Sequence, residues 1–197
     1  LYHVLQVRVV QRERRMKNSV PVVAIVGYTN AGKSTLLNTM LGEKVAIVSS
    51  KPQTTRNRII GIHTVGDDQY VFLDTPGIFK PRNSLGSYMV KTANSSMQDA
   101  DAVILVVDTG KPISDTEKNV ITYLKNTKTP SVLVLNKIDL YRREQIAETI
   151  AAYSELHSFD AVVPICAKNG KGVNEVLDEC KAFLGESDFF FPEDMVT

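Results

Sequence analysis

Tryptophan is absent from this 197-residue chain, and cysteine occurs only at Cys166 and Cys180. Two cysteines are too few for a disulfide framework or a cysteine-built metal centre. No apolar run approaches the ~20 residues that a bilayer-spanning helix needs. The apolar residues near the start are interrupted by Gln, Arg and Glu, so the layout of a secretory signal is missing. An excess of one charge is lacking too, since 23 Lys+Arg face 22 Asp+Glu for a formal net charge of +1. These absences leave a reduced, cytoplasmic protein as the expectation. What remains, 43% hydrophobic and 23% charged residues, is the composition of an ordinary globular domain. The length suits one domain with a full-sized core plus some tail.

The small net charge is unevenly spread. Residues 1–20 hold Arg8, Arg12, Arg14, Arg15 and Lys17 against Glu13, a net +4, which leaves the rest at −3. A mildly acidic body argues against nucleic-acid binding by the core. The segment 1–19 reads as a basic linker or helical arm, able to meet RNA, a ribosome or a membrane surface through phosphate, or simply solvated.

Behind it, Val22–Val26 is a short β-branched run, long enough for one buried strand. Gly27-Tyr28-Thr29-Asn30-Ala31-Gly32-Lys33-Ser34 then fits G-x-x-x-x-G-K-[ST], and a helix is expected over 33–41, with Thr35 in its first turn. Strand, glycine-rich loop and helix in that order make a phosphate cradle. Gly27 and Gly32 let backbone N–H groups turn inward without a Cβ in the way. The helix aims its positive end at the same anion. Lys33 is assigned to the β- and γ-phosphates, and Ser34 to Mg²⁺.

The chain continues through a polar loop, 42–56, in which Thr54 and Thr55 are candidates to close on Mg²⁺; Thr55 is preferred for its place beside Arg56. Arg58–Val65 and Gln69–Asp74 form a hairpin pattern about a turn at 66–68. The loop 75–85 is broken by Pro76, Gly77 and Pro81. Further expectations are a helix at 87–97, a strand at 103–107 and a helix from Asp115 to about Lys125. A strand at 132–135, a helix at 144–157, a strand at 161–166 and an amphipathic helix at 173–184 complete the series. Strands too uniformly apolar to have a wet face, alternating with helices, predict a mostly parallel sheet with helices on both sides and one antiparallel edge strand.

Ligands of such sheets sit beyond the carboxyl ends of the strands. Gly27, Asp74 and Asn136 all fall there. Asp74-Thr75-Pro76-Gly77 offers a carboxylate for Mg²⁺, through a water, and a Gly77 amide for the γ-phosphate. Asn136-Lys137-Ile138-Asp139 offers a base reader. A carboxylate at Asp139 can accept both N1–H and N2–H₂ of guanine, a donor pair adenine lacks, while the Lys137 stem lies along the ring. A capping aspartate is the plainer alternative. Cys166-Ala167-Lys168 follows the next strand, and the Ala167 N–H is a candidate for guanine O6. Asp108 reads only as a strand-end residue.

Together these residues resemble the P-loop GTPases of the translation-factor-related class, which implies a three-layer α/β fold with a six-stranded sheet. From about residue 36 the chain resembles Era, a ribosome-assembly GTPase, through KPQTTRNRIIGIHT at 51–64, FLDTPGIF at 72–79, LNKIDL at 135–140 and FFPEDMVT at 190–197. RERR at 12–15 and VPVVAIVGYTNAGKSTL at 20–36 resemble HflX instead, another ribosome-binding GTPase. Tyr28, Thr29 and Ala31 depart from the usual Era loop, so the reading here is a chimera, natural or engineered, with its joint near 32–41, or a divergent Era. On that reading 20–185 is the GTPase domain and 186–197 begins the linker to an absent RNA-binding KH domain; the HflX N-terminal domain is missing as well.

The resemblance implies GTP and GDP as ligands, hydrolysis of GTP with Lys33, Thr55 and Gly77 at the reaction centre, and Mg²⁺ held by Ser34, Thr55 and Asp74. Ile78 stands where Ras-like enzymes have a water-orienting Gln, so slow basal turnover is expected. Era-like and MnmE-like relatives use K⁺ coordinated by a loop Asn, and Asn30 occupies that position. Ribosomal subunits or ribosomal RNA are the partners implied, with peripheral contact at the inner face of the membrane and a monomeric state as further expectations. Competing readings are a guanine-nucleotide-binding module without turnover, an ATP-using P-loop protein, and a function led by the basic arm.

Overall fold

The computed structural model describes residues 21–42, 59–65, 68–74, 97–98 and 100–184, with the backbone alone described at 59–65, 68–70, 74, 183 and 184. The basic arm at 1–19, the loop at 43–56, the loop at 75–85, the helix expected at 87–97 except for its last residue, and the tail at 186–197 lie outside the described residues.

Six strands form one sheet: β1 (Val22–Gly27), β2 (Ile59–Val65), β3 (Asp68–Asp74), β4 (Ala102–Asp108), β5 (Ser131–Asn136) and β6 (Ala161–Pro164). Their order is β2-β3-β1-β4-β5-β6. The hairpin pair β2/β3 is antiparallel and every other pairing is parallel, as expected. Between them lie α1 (Lys33–Leu41), α2 (Asp115–Thr127), α3 (Arg143–Leu156) and α4 (Val173–Leu184). None of the described helices is long and apolar enough to cross a membrane.

Alternation along the strands fills two separate cores. Val23, Ile25, Phe72, Ile104, Val106, Val132 and Val134 face α1 and α4 on one side. Ala24, Val26, Val103, Leu105, Val107, Leu133 and Leu135 face α2 and α3 on the other. With both faces covered, a polar residue has no place inside these strands, which is why their sequences are continuously apolar. The helices answer with residues at i, i+3, i+4 and i+7. In α4 these are Val173, Val176, Leu177 and Cys180, all buried. In α2 they are Glu117, Val120, Ile121 and Leu124. Burial in this core pushes the Cys180 thiol up to about 12, so it behaves as a small apolar side chain.

Helix α2 begins at Asp115 as expected and runs on to Thr127 rather than about Lys125. Helix α2 starts at a capping box in which Ser114 Oγ accepts from the Glu117 N–H (3.2 Å) and Glu117 Oε2 accepts from the Ser114 N–H (2.7 Å). Strand β6 stops at Pro164 rather than Cys166. The chain then turns so that Cys166 pairs antiparallel with Lys171, closing a loop through Gly170, with Gly172 just beyond it. Gly172 (φ 78°) lies under the Pro164 carbonyl and Ile165, where a Cβ would collide. A short 3₁₀ turn at Ile138–Leu140 was not legible in the apolar pattern.

The strand order reverses direction at β1, between β3 and β4. The crevice beyond the carboxyl ends at that switch point is where open α/β sheets take ligands, and it is where Gly27, Asp74, Asp108 and Asn136 end their strands.

Candidate functional site

A cavity of about 480 Å³ opens at that edge of the sheet. Asn30, Gly32, Lys33, Ser34 and Thr35 line one end; Asn136, Lys137, Asp139, Leu140, Cys166 and Lys168 line the other. Ten of these eleven are residues singled out from sequence, Leu140 being the addition. Gly27, Tyr28, Thr29, Ala31 and Ala167 belong to the same loops without lining the cavity.

The loop's shape follows from its glycines. Gly27 ends β1 at φ 155°, pressed against the Val106 carbonyl of β4, and a Cβ would overlap that oxygen. Gly32 (φ 102°) opens α1 hard against the Asn136 side chain, again with no room for a Cβ. Asn30 is held at φ 62°, a left-handed backbone that asparagine tolerates better than most residues. Lys33 is 6% exposed and donates from Nζ to the carbonyls of Gly27 (3.2 Å) and Tyr28 (3.1 Å). Its ammonium is thus folded back over the loop, where phosphate oxygens can replace those carbonyls.

Asn136 ties the two ends of the cavity together. Its Nδ2 donates to the Ala31 carbonyl (2.9 Å), and its Oδ1 accepts from the N–H groups of Lys137 (2.8 Å) and Ala167 (3.0 Å). One donor and two acceptor bonds fix the amide's orientation. The Ala167 N–H, a candidate for guanine O6, donates here to Asn136 Oδ1. The 166–168 turn is also pinned to α1, because Thr39 Oγ1 donates to the Ala167 carbonyl (2.8 Å). Cys166 is buried, lines the cavity and forms no disulfide. Asp139, in the 3₁₀ turn, is exposed and faces the cavity mouth, free of the capping role a strand-following aspartate often takes.

Asp108 is more than a strand end. It is 8% exposed, and its Oδ2 receives Lys137 Nζ at 2.7 Å and Lys111 Nζ at 3.0 Å, while Tyr141 Oη lies 3.4 Å from Oδ1. Burial alone would raise its pKa, but hydrogen bonds and charge from Lys137 and Lys111 outweigh it and hold the carboxyl below the usual range. The same hydrogen bond raises Lys111, and burial together with the Asp108 charge raises Tyr141. The sequence signal was a lone carboxylate closing six buried apolar residues, with its cationic partners hidden by distance along the chain.

For a metal, no group of three or more His, Cys, Asp or Glu side chains is assembled among the described residues. A site of this kind is built for a cation that arrives with its own oxygen ligands. The Ser34 hydroxyl, exposed on the cavity wall at the start of α1, and a carboxylate at the end of β3 suit Mg²⁺ with phosphate oxygens. Only the backbone of Asp74 is described, and Thr55 and Gly77 lie outside the described residues.

Comparison with known proteins agrees with this geometry. Residues 22–137 match the family model described as 50S ribosome-binding GTPase. The GTPase Era of Syntrophus aciditrophicus is 46% identical over 175 residues, covering 89% of this chain and 57% of that protein. The GTPase Era of Clostridium botulinum strain Alaska E43 is 47% identical, with 89% and 59% covered. The chain therefore spans somewhat under three fifths of the length of these relatives. Among solved structures, a variant of Aquifex aeolicus Era bound to GDP and AlF4⁻ superposes with a TM-score of 0.77 at 37% identity, covering 90% of this chain and 61% of that one. Era in complex with MgGDPNP and nucleotides 1506–1542 of 16S ribosomal RNA gives 0.77 at 36% identity, with 91% and 61% covered. This chain belongs to the 50S ribosome-binding GTPase family, as a P-loop GTPase of the Era kind.

Proposed function

We propose that this chain binds GTP, hydrolyses it to GDP and phosphate, and changes the state of its loops as it does so. The observation that carries this is the cavity itself, with a phosphate cradle at one end and Asn136-Lys137-x-Asp139 at the other, joined through the Asn136 side chain. Water attacks the γ-phosphate in line. Lys33 and the loop amides meet the charge that spreads over the phosphate oxygens. Bound Mg²⁺ supplies further positive charge, and Ser34, Thr55 and Asp74 are the side chains to hold it. Gly77 offers its amide to the γ-phosphate, and the loops at 42–56 and 75–85 relax once that group leaves. Ile78 cannot orient water, so turnover of the isolated chain is slow.

Asn30 is proposed to hold K⁺ beside the β- and γ-phosphates, its side chain on the cavity wall and its backbone in a conformation the loop enforces. A cation there acts as an arginine finger does, an effect of roughly 10³–10⁵ in rate. A ribosomal subunit or ribosomal RNA is the proposed partner, supported by the relative crystallised with 16S ribosomal RNA. The action is proposed to be that of a monomer in the cytoplasm, with the basic arm free to touch the membrane face. We further propose that residues 12–36 carry an HflX-like opening on an Era-like body. Comparing 20–36 and 37–185 separately with both families tests that, and equal likeness of both parts to Era removes it.

Phosphate release in K⁺ and in Na⁺ at equal ionic strength, beside a Lys33→Ala control, tests the reaction. Release that is faster in K⁺, loses that preference in Asn30→Ala and vanishes in Lys33→Ala is expected. Release no greater than the Lys33→Ala background would leave a nucleotide-binding module and remove the enzyme. Asp139→Asn is expected to move preference from guanine to xanthine nucleotides, and unchanged preference would take Asp139 out of base reading.

A further inference from the structure

Three consecutive residues at the end of β4, Asp108-Thr109-Gly110, all act on the segment that reads the base. The register places Asp108 opposite Asn136 at the ends of β4 and β5. Thr109, fully buried, gives both its N–H (3.1 Å) and its hydroxyl (2.8 Å) to the Asn136 carbonyl. Gly110 (φ 81°) leaves room for the Tyr141 ring, into which a Cβ would project. That packing is what brings the Tyr141 hydroxyl to Asp108.

Lys137 is the residue these contacts constrain. Its backbone sits at φ 66°, a left-handed conformation that a side chain-bearing residue holds only when its surroundings insist. Asn136 Oδ1 fixes its N–H at 2.8 Å, and Asp108 Oδ2 fixes its ammonium at 2.7 Å. A lysine stem left to itself samples many rotamers. Here both ends are held, and the residue lines the cavity beside Asp139. The carboxylate can hold the ammonium firmly because it is buried, charged and fed by a short charge-assisted hydrogen bond.

The geometry points to Asp108 as a positioning residue for purine recognition: through Lys137 Nζ it fixes the lysine stem as the wall against which the guanine ring lies. It does not line the cavity, and it acts only through the lysine. The inference rests on the guanine-nucleotide reading of the cavity, which supplies the ring that the wall would meet.

The test is a double-mutant cycle on GDP affinity and release, with pyrophosphate competition as a check on the phosphate cradle. Asp108→Asn keeps the side chain's shape and removes its charge. It is expected to weaken GDP about tenfold through faster release, the scale of one charge-assisted contact, while pyrophosphate competes as in the wild type. In a Lys137→Met background the same change should have no further effect, since its only route to the ligand is gone. Should Asp108→Asn fail to fold, Asp108→Glu shifts the carboxylate by one methylene and carries the same expectation. Wild-type GDP affinity in the single variant, or equal losses in both backgrounds, would overturn the positioning role. A pyrophosphate loss matching the GDP loss would overturn it too, by showing general damage. Wild-type protein with no preference for guanine over adenine nucleotides would remove the underlying reading instead.

Discussion

Replacing Asn136 with alanine should be among the most damaging single changes near the cavity, although the residue is uncharged. The side chain makes three hydrogen bonds, to the Ala31 carbonyl and from the N–H groups of Lys137 and Ala167. Each such bond has a net worth of about 1 kcal/mol, so truncation removes about 3 kcal/mol. Ala31 and Ala167 are each 1% exposed. Water cannot readily replace the lost partner there, and a stranded buried group costs about 1–3 kcal/mol. A total of about 4–6 kcal/mol follows, a large part of the 5–15 kcal/mol by which domains of this size are stable. Urea denaturation of the nucleotide-free protein measures it, read as a fall in midpoint at constant slope. Asn136→Asp refines the argument. It keeps both acceptor contacts but sets a carboxylate oxygen against the Ala31 carbonyl at a 3% exposed position, so it should cost stability as well as nucleotide affinity. A loss below about 1 kcal/mol for Asn136→Ala would refute the claim that this side chain joins the two ends of the site.

Other consequences follow from particular contacts. Gly27→Ala forces a Cβ into the Val106 carbonyl at a positive φ, and neither backbone can move without opening the β1/β4 pairing. It should cost about 3 kcal/mol or prevent folding, and a melting temperature within a few degrees of wild type would contradict this. Ser114→Ala removes the cap of α2 and should cost about 1 kcal/mol by the same denaturation assay, with nucleotide affinity untouched. His157 is held below its usual pKa of 6.5, first by burial and then by Lys125, with Asp160 opposing. Between that lowered value and 6.5 the unfolded chain binds more protons, so stability should fall as pH drops through this window. His157→Gln should flatten that slope, and an unchanged slope would assign it to another group.

Much of the fold was readable because β1, β4 and β5 are apolar on both faces, a pattern only a covered sheet explains. The Gly66-Asp67-containing turn likewise marked the antiparallel pair, whose register closes with Val65 opposite Asp68. Residues of the cavity were readable where chemistry demands fixed spacing, as from Gly27 to Ser34 and from Asn136 to Asp139. What escaped was the support for these residues. Asp108 and Lys137 are 29 positions apart, and only the β4/β5 register brings their strand ends together. The hydrogen bond from the Ala167 N–H to Asn136 Oδ1 joins residues 31 positions apart and is hidden by chain order in the same way. Strand β6 looked longer than it is because burial continues through Ile165 and Cys166, and the Ile165 N–H still reaches the Leu135 carbonyl of β5 (2.7 Å) although the strand ends at Pro164.

The central claim is that one cavity holds a triphosphate on main-chain amides while Asp139, beyond Asn136, identifies the purine. Competition against a fluorescent guanine nucleotide in magnesium buffer tests it most directly. GTP and GDP should displace the probe at least about a hundredfold more readily than ATP, since two charge-assisted hydrogen bonds of about 1.5–3 kcal/mol each are at stake. Displacement by ATP and GTP at equal concentrations would contradict the account.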